Sequence, residues 1–114
     1  MINGLHCVIF SRDVHADREF FAKVMGWPSV DAGNGRLFFA TPPAELGLHE
    51  AEQNGRHELY LMCDDVAAEI ARLDGQGIKC APVADRGWGL MTAITLPGGG
   101  SLGLYQPRHA RPYP

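Results

Sequence analysis

The chain has 114 residues, 46% hydrophobic and 20% charged, a composition that suits one globular domain and excludes both a disordered segment and a membrane-spanning bundle. Ten Lys and Arg against thirteen Asp and Glu leave a formal charge of -3 with the basic residues scattered, so the chain carries no electrostatic footprint for nucleic acid or an anionic membrane. The expected partner is a small molecule or a second copy of the chain.

The opening stretch, MINGLHCVIF, is too short to cross a membrane and lacks the basic start and small-residue cleavage site of a secretory signal, so the expected location is cytoplasmic. Residues 5–10 read as a strand in which His6, Val8 and Phe10 share one face and Leu5, Cys7 and Ile9 the other. Asp13 stands where a helix cap belongs, Ala16, Phe20 and Val24 recur every four residues, and Gly26 ends the pattern. Asn34-Gly35 between SVDA and RLFFAT is a hairpin signal. After Pro42-Pro43 comes ELGLHE, a strand that turns Leu46 and Leu48 one way and Gly47 and His49 the other.

A polar joint, AEQNG, leads into a second pass through the same plan. HELYLMCDDV aligns with LHCVIFSRDV, so that Asp65 follows Asp13, and Glu58 follows His6, by 52 residues. Glu58, Tyr60 and Met62 then share one strand face. Val66, Ile70 and Leu73 give the second helix, stopped by Gly75 and Gly77, and Asp85-Arg86-Gly87 gives a looser hairpin turn before WGLMTAITL. Pro97 and the run Gly98-Gly99-Gly100 precede SLGLYQ, where Leu102 and Leu104 oppose Gly103 and Tyr105. The glycine run opens no helix and lacks the Lys-Ser/Thr of a phosphate loop, so it reads as a hairpin turn. The tail RHARPYP is expected to be loosely ordered or draped on a partner subunit.

Each half reads strand, helix, strand, strand, strand, with module one at about 1–50, the joint at 51–56, module two at about 57–107 and the tail at 108–114. The expected fold is α+β: two tandem βαβββ modules in one domain, whose mixed sheets form a curved, barrel-like groove with the helices outside. The all-apolar strand faces should pack on the helices. The other faces, with His6, His49, Glu58, Tyr60, Tyr105, Gly47 and Gly103, suit a concave pocket. Trp27, Trp88, Phe38, Phe39 and Tyr60 are aromatic enough to stack a planar ligand, but strand aromatics are usually core, so one or two at most should line that pocket. His57 falls at a strand start or on the helix side, and His15 and His109 read as surface residues. Cys7, Cys63 and Cys80 are odd in number and widely spaced, which fits buried reduced thiols better than disulfides or a metal cluster.

The stretch LHCVIFSRDVHADREFFAKVMGW, with its His-led strand, capped helix, aromatic pair and Gly-Trp exit, resembles the vicinal oxygen chelate superfamily of glyoxalases, bleomycin-resistance proteins and extradiol dioxygenases. LPGGGSLGLYQP is similar to the family's last turn and strand, and the resemblance runs from about Leu5 to Pro107. It implies metal ligands on the first and last strands of each half. His6 and Glu58 match the first-strand positions, whereas the last-strand positions fall on Gly47 and Gly103, which have no side chain to ligate. His49, two residues past Gly47 on the same face, would complete a set of two histidines and a carboxylate suited to zinc, nickel, manganese or iron.

The resemblance thus implies a protein that binds a small planar or amphipathic molecule in its groove, with an incomplete metal site. His6, His49, Tyr60, Tyr105, Trp88, Gly47 and Gly103 are its candidate ligand-binding residues. Two alternatives stand beside it. One is a metal-dependent lyase, isomerase or dioxygenase using His6, His49 and Glu58, with Glu58 as ligand or base. The other is a silent module that acts through its surface. The family pairs its modules within one chain or across a dimer, and the short joint favours a homodimer.

Overall fold

Two aspartates start the two helices. Asp13 accepts a hydrogen bond from the Ala16 N–H and Asp65 one from the Ala68 N–H, each at 3.1 Å. Each thereby satisfies one of the N–H groups that a first helical turn leaves without an internal partner. The computed structural model describes residues 1, 3 and 5–112, and it divides into two compact units. One is Met1–Ala44 with Pro97–Gly99, and the other is Glu45–Leu96 with Gly100–Pro114.

In the first unit α1, Val14–Glu19, passes directly into a wider π turn, Phe20–Val24, closed by the Met25 N–H on the Phe20 carbonyl at 3.0 Å. The four-residue spacing of apolar positions predicts a plain α-helix through Val24. The departure has a packing reason: neighbouring residues of an α-helix diverge by about 100°, and the wider turn lets both Phe20 and Phe21 be buried. Phe21 stacks on Trp27 with centroids 5.3 Å apart and touches Phe39 at 5.8 Å. Trp27 and Phe39 therefore belong to this unit's aromatic core. Strands β1, Ser29–Asp31, and β2, Leu37–Phe39, pair antiparallel around the expected turn, where Asn34 and Gly35 adopt φ of 56° and 77°. Asp17, 6% exposed, accepts from the Ser11 hydroxyl at 2.6 Å and the Gly98 N–H at 2.7 Å.

In the second unit the element order is strand, helix, strand, strand, strand, as the sequence predicts for 57–107. The elements are β3 (Tyr60–Met62), α2 (Val66–Asp74), β4 (Ala84–Asp85), β5 (Gly89–Thr95) and β6 (Ser101–Pro107). They form one sheet in the order β3-β6-β5-β4, with β3 parallel to β6 and the other pairs antiparallel. Val66 and Leu73 of α2 are buried with Ile94, Leu96, Leu102 and Leu104, so the leucines of the second Leu-Gly-Leu do turn into the core. The Gln106 side chain accepts from the Val66 N–H at 3.0 Å, a second cap that ties the helix start to β6. Both glycine-rich turns are hairpin turns, with the Leu96 N–H on the Gly100 carbonyl at 2.9 Å and the Arg86 N–H on the Gly89 carbonyl at 2.9 Å.

Two expected strands are not formed. Residues 5–10 and 46–49 carry no sheet pairing, and every one of them is exposed, Phe10 at 94% and Leu48 at 91%. Alternation alone makes a segment compatible with a strand, but a strand exists only where a neighbour takes its N–H and carbonyl groups. The described strands make two separate sheets, of two and four strands, and neither closes into a barrel. The tail also differs from expectation. Arg108 makes a bidentate pair with Asp85 at 2.7 and 3.2 Å, and Arg111 meets Glu45 at 3.1 Å, so residues 108–111 are tied to their own chain; Tyr113 and Pro114 lie outside the described residues. Among the described residues no helix is long and apolar enough to cross a membrane.

Candidate binding site

The second unit gathers its aromatic residues around Tyr105. Strand alternation along β6 sends Leu104 to the helix side and Gly103 and Tyr105 to the opposite face. The parallel register sets Tyr60 beside Gly103 and Met62 beside Tyr105. Trp88 enters from the start of β5, its carbonyl fixed by the Arg108 N–H at 2.8 Å. The Tyr105 ring, 9% exposed, receives Trp88 edge-on at 5.1 Å and Tyr60 edge-on at 6.0 Å, and His109 lies tilted at 5.9 Å. Its hydroxyl lies 3.2 Å from His109 Nε2. Trp88 and Tyr60 remain 44% and 37% exposed, so two partly exposed aromatic residues border one buried phenol.

Gly103 explains how the Tyr60 ring comes so near. A Cβ there would stand 2.7 Å from Tyr60 Cε1 and closer still to Cδ1. The glycine backbone is in the ordinary extended region, so what excludes a side chain is the ring and not the conformation. The missing side chain therefore leaves no open space: Tyr60 fills it, and a carboxylate at this position would collide with its ring.

The charges follow from the same placement. The Tyr60 hydroxyl donates to Glu58 Oε2, and Arg56 Nη2 donates to Glu58 Oε1 at 3.1 Å. The Tyr60 hydrogen bond holds the Glu58 carboxyl below its ordinary range, opposed by desolvation and aided by Arg56. Conversely, the bond to Glu58 and then burial push the Tyr60 phenol up, while the Arg56 and Arg86 guanidiniums oppose the rise. Arg108 and the Gly87 N–H keep Asp85 low.

The remaining candidates fall elsewhere. His49 is exposed and acts on Glu58 through its charge, as a minor influence. Gly47 is exposed, and a Cβ there would meet nothing within 4 Å. His6 lies in the first unit, exposed, with its ring edge-on to Phe38 at 4.8 Å. Among the described residues no group of three or more His, Cys, Asp and Glu is placed to hold a metal ion. In the second unit both positions that the resemblance gives to ligands are engaged, Glu58 by Tyr60 and Arg56 and Gly103 by the Tyr60 ring.

Sequence reasoning missed several participants. Arg56 and Arg86 sat in a joint and a turn, with no signal marking them. His109 is exposed as expected but serves Tyr105 and stands 3.8 Å from Glu45. A shallow depression of about 320 Å³ in the first unit, lined by Pro28, Ser29, Val30, Phe38, Phe39 and Ala40, was also not foreseen. Its only signal was the alternation of the hairpin, which exposes Val30 and Phe38 together.

Neither a family profile nor a curated protein sequence matches the chain significantly. Solved structures do. TnmS3, an antibiotic binding protein from Streptomyces sp. CB03234, is 25% identical over 85% of this chain and 88% of its own, with a TM-score of 0.62. A lactoylglutathione lyase from Agrobacterium tumefaciens is 16% identical over 91% and 92%, with a TM-score of 0.62. A glyoxylase/bleomycin resistance protein/dioxygenase domain from Frankia sp. EAN1pec is 15% identical over 97% and 96%, with a TM-score of 0.65. The chain thus has the fold of the glyoxalase/bleomycin-resistance/dioxygenase-domain proteins, consistent with the vicinal oxygen chelate superfamily.

Proposed function

We propose that the protein binds a small planar or amphipathic molecule, in a groove built from two tandem βαβββ modules, without a complete family metal site. The observation that carries this reading is the Tyr60 ring seated over Gly103. Where the resemblance implies a ligating side chain, the chain places an aromatic wall, continued by Tyr105 and Trp88. Partly exposed aromatic residues beside a buried phenol favour a flat, partly apolar guest over a bare ion. The likeness to an antibiotic binding protein supports a binding role, at 25% identity. His6, His49 and Gly47 are proposed as further ligand-binding residues.

The groove is proposed to be completed in a homodimer. Residues 5–10 and 46–49 are largely apolar, exposed and without sheet pairing, and β3 has a neighbour on one side only, so a second copy would supply the missing pairings. The cytoplasm remains the proposed location.

Thermal shift tests the reading directly. Zinc, nickel, manganese and iron(II) should leave the melting temperature unchanged, and planar aromatic compounds should raise it by an amount lost in Trp88→Ala. Stoichiometric metal binding that disappears in His6→Ala, with metal-dependent turnover, would overturn it in favour of a lyase, isomerase or dioxygenase. Sedimentation at micromolar concentration should give a dimer, and a monomer would remove the assembly proposal.

A further inference from the structure

We propose that residues 8–10 of one copy pair in parallel with residues 47–49 of a second copy, Val8 opposite Gly47, and that the exchange is reciprocal. This rests on the homodimer proposed above and adds its register and the residues that each copy gives to the other's groove.

The internal repeat carries the register. Asp65 follows Asp13 by 52 residues, which sets Val8 on Tyr60, and the two Leu-Gly-Leu phrases set Gly47 on Gly103. In the second half these positions are paired: β3 runs parallel to β6 with Tyr60 opposite Gly103, Leu61 opposite Leu104 and Met62 opposite Tyr105. The same rule in the first half gives Val8 opposite Gly47, Ile9 opposite Leu48 and Phe10 opposite His49. Residues opposite each other share a sheet face, so Cys7 and Ile9 join Leu46 and Leu48 on one face, and His6, Val8 and Phe10 join Gly47 and His49 on the other. A slip of one residue would set the leucines among the histidines.

Among the described residues neither segment has a strand neighbour in its own chain, and Val8, Phe10, Leu46 and Leu48 are exposed. Open N–H and carbonyl groups beside exposed apolar side chains are a template for another chain, and one two-fold exchange satisfies both segments of both copies. The product differs from the second half in one respect. Val8 is too short to cover the glycine opposite it as the Tyr60 ring covers Gly103, so the space at Gly47 stays open, with His6 from one copy and His49 from the other on its face.

The test is cross-linking between two chains that each carry one new thiol, Val8→Cys and Gly47→Cys, both with Cys7→Ser. Mixed and mildly oxidised, they should give a covalent heterodimer, identified by mass, that captures about half of the chains, the statistical share of mixed pairs. Ile9→Cys, whose side chain points to the opposite face, should cross-link to Gly47→Cys about tenfold less. In the unmodified chain, amide exchange within residues 8–10 and 47–49 should be slow in the dimer and fast once dilution dissociates it. A sedimenting dimer without the cross-link between positions 8 and 47, with equal capture by Ile9→Cys, or with fast exchange in both segments would overturn the register and leave the homodimer standing. A double variant, Val8→Cys with Gly47→Cys, whose new thiols close within one chain would overturn the exchange. A monomer by sedimentation would remove the homodimer and this inference with it.

Discussion

Replacing Gly103 by Ala isolates the contact on which the functional reading turns. The new methyl would sit 2.7 Å from Tyr60 Cε1, well inside van der Waals contact, so either β3 shifts or the Tyr60 ring swings out. The ring is half exposed and lies on an edge strand, so it is the part that gives way. Its departure forfeits the edge contact with Tyr105, worth about 1 kcal/mol, and overfilling a packed site typically costs about 1–3 kcal/mol, so a net loss near 2 kcal/mol is expected. For a chain of this length that corresponds to roughly 8 °C in melting temperature. Urea denaturation should be run on Gly103→Ala, Tyr60→Ala and the double variant. Because the methyl and the ring compete for one space, the second substitution should cost well under half as much in the double variant as alone. Equal costs in both backgrounds, or a Gly103→Ala variant as stable as the wild type, would refute the argument.

Three further outcomes are expected. Asp17→Ala should destabilise by about 2–3 kcal/mol in urea denaturation, because it strands the Ser11 hydroxyl and the Gly98 N–H that the buried carboxylate now accepts. The bond between Glu58 and Tyr60 should give stability a plateau with two limbs. Glu58 is shifted down from 4.5, so its contribution is present above that pH and lost as pH falls through the lowered value; Tyr60 is shifted up from 10.0, so its contribution is present below that pH and lost above the raised value. Urea midpoints measured against pH should lose both limbs in Tyr60→Phe. Finally, burial pushes the Cys63 thiol up to about 11 and raises Cys80 as well, whereas Cys7 is exposed. At pH 8 a thiol reagent should show one fast phase, absent in Cys7→Ser, and two slow ones.

The two helices, the three hairpin turns and the second-unit sheet were legible because each is written locally. Capping aspartates, Asn34-Gly35 and the alternation of SLGLYQ need no distant partner to be read. The π turn was not legible, since it reflects the burial of two adjacent rings, a tertiary demand superimposed on a sound helical period. The missing strands at 5–10 and 46–49 show the opposite limit, in which the pattern is present and the neighbour is not. Around the aromatic corner, alternation and family position put Glu58, Tyr60 and Tyr105 on groove-facing strand faces, and Trp88 stood out only as an aromatic able to stack a ligand. Arg56 and Arg86 were not, because a charge in a joint or turn acquires a role only from what the fold brings beside it. His109 was set down as a surface residue because only the return of the tail onto β6 brings it to Tyr105.

The two Leu-Gly-Leu phrases, written alike, have unlike physical reasons. Gly103 is required within the chain, because the Tyr60 ring occupies the place of any side chain it might carry. Gly47 has no such neighbour and no special backbone angle, so within the single chain a methyl there would be free of cost. If Gly47 faces a groove completed by a second copy or filled by a guest, its missing side chain matters only when that groove is formed. Gly47→Ala should accordingly leave the urea midpoint of dissociated chains unchanged while weakening dimerisation or ligand binding, read by sedimentation and calorimetry. A variant that is silent in all three measurements would strip Gly47 of any part in the site.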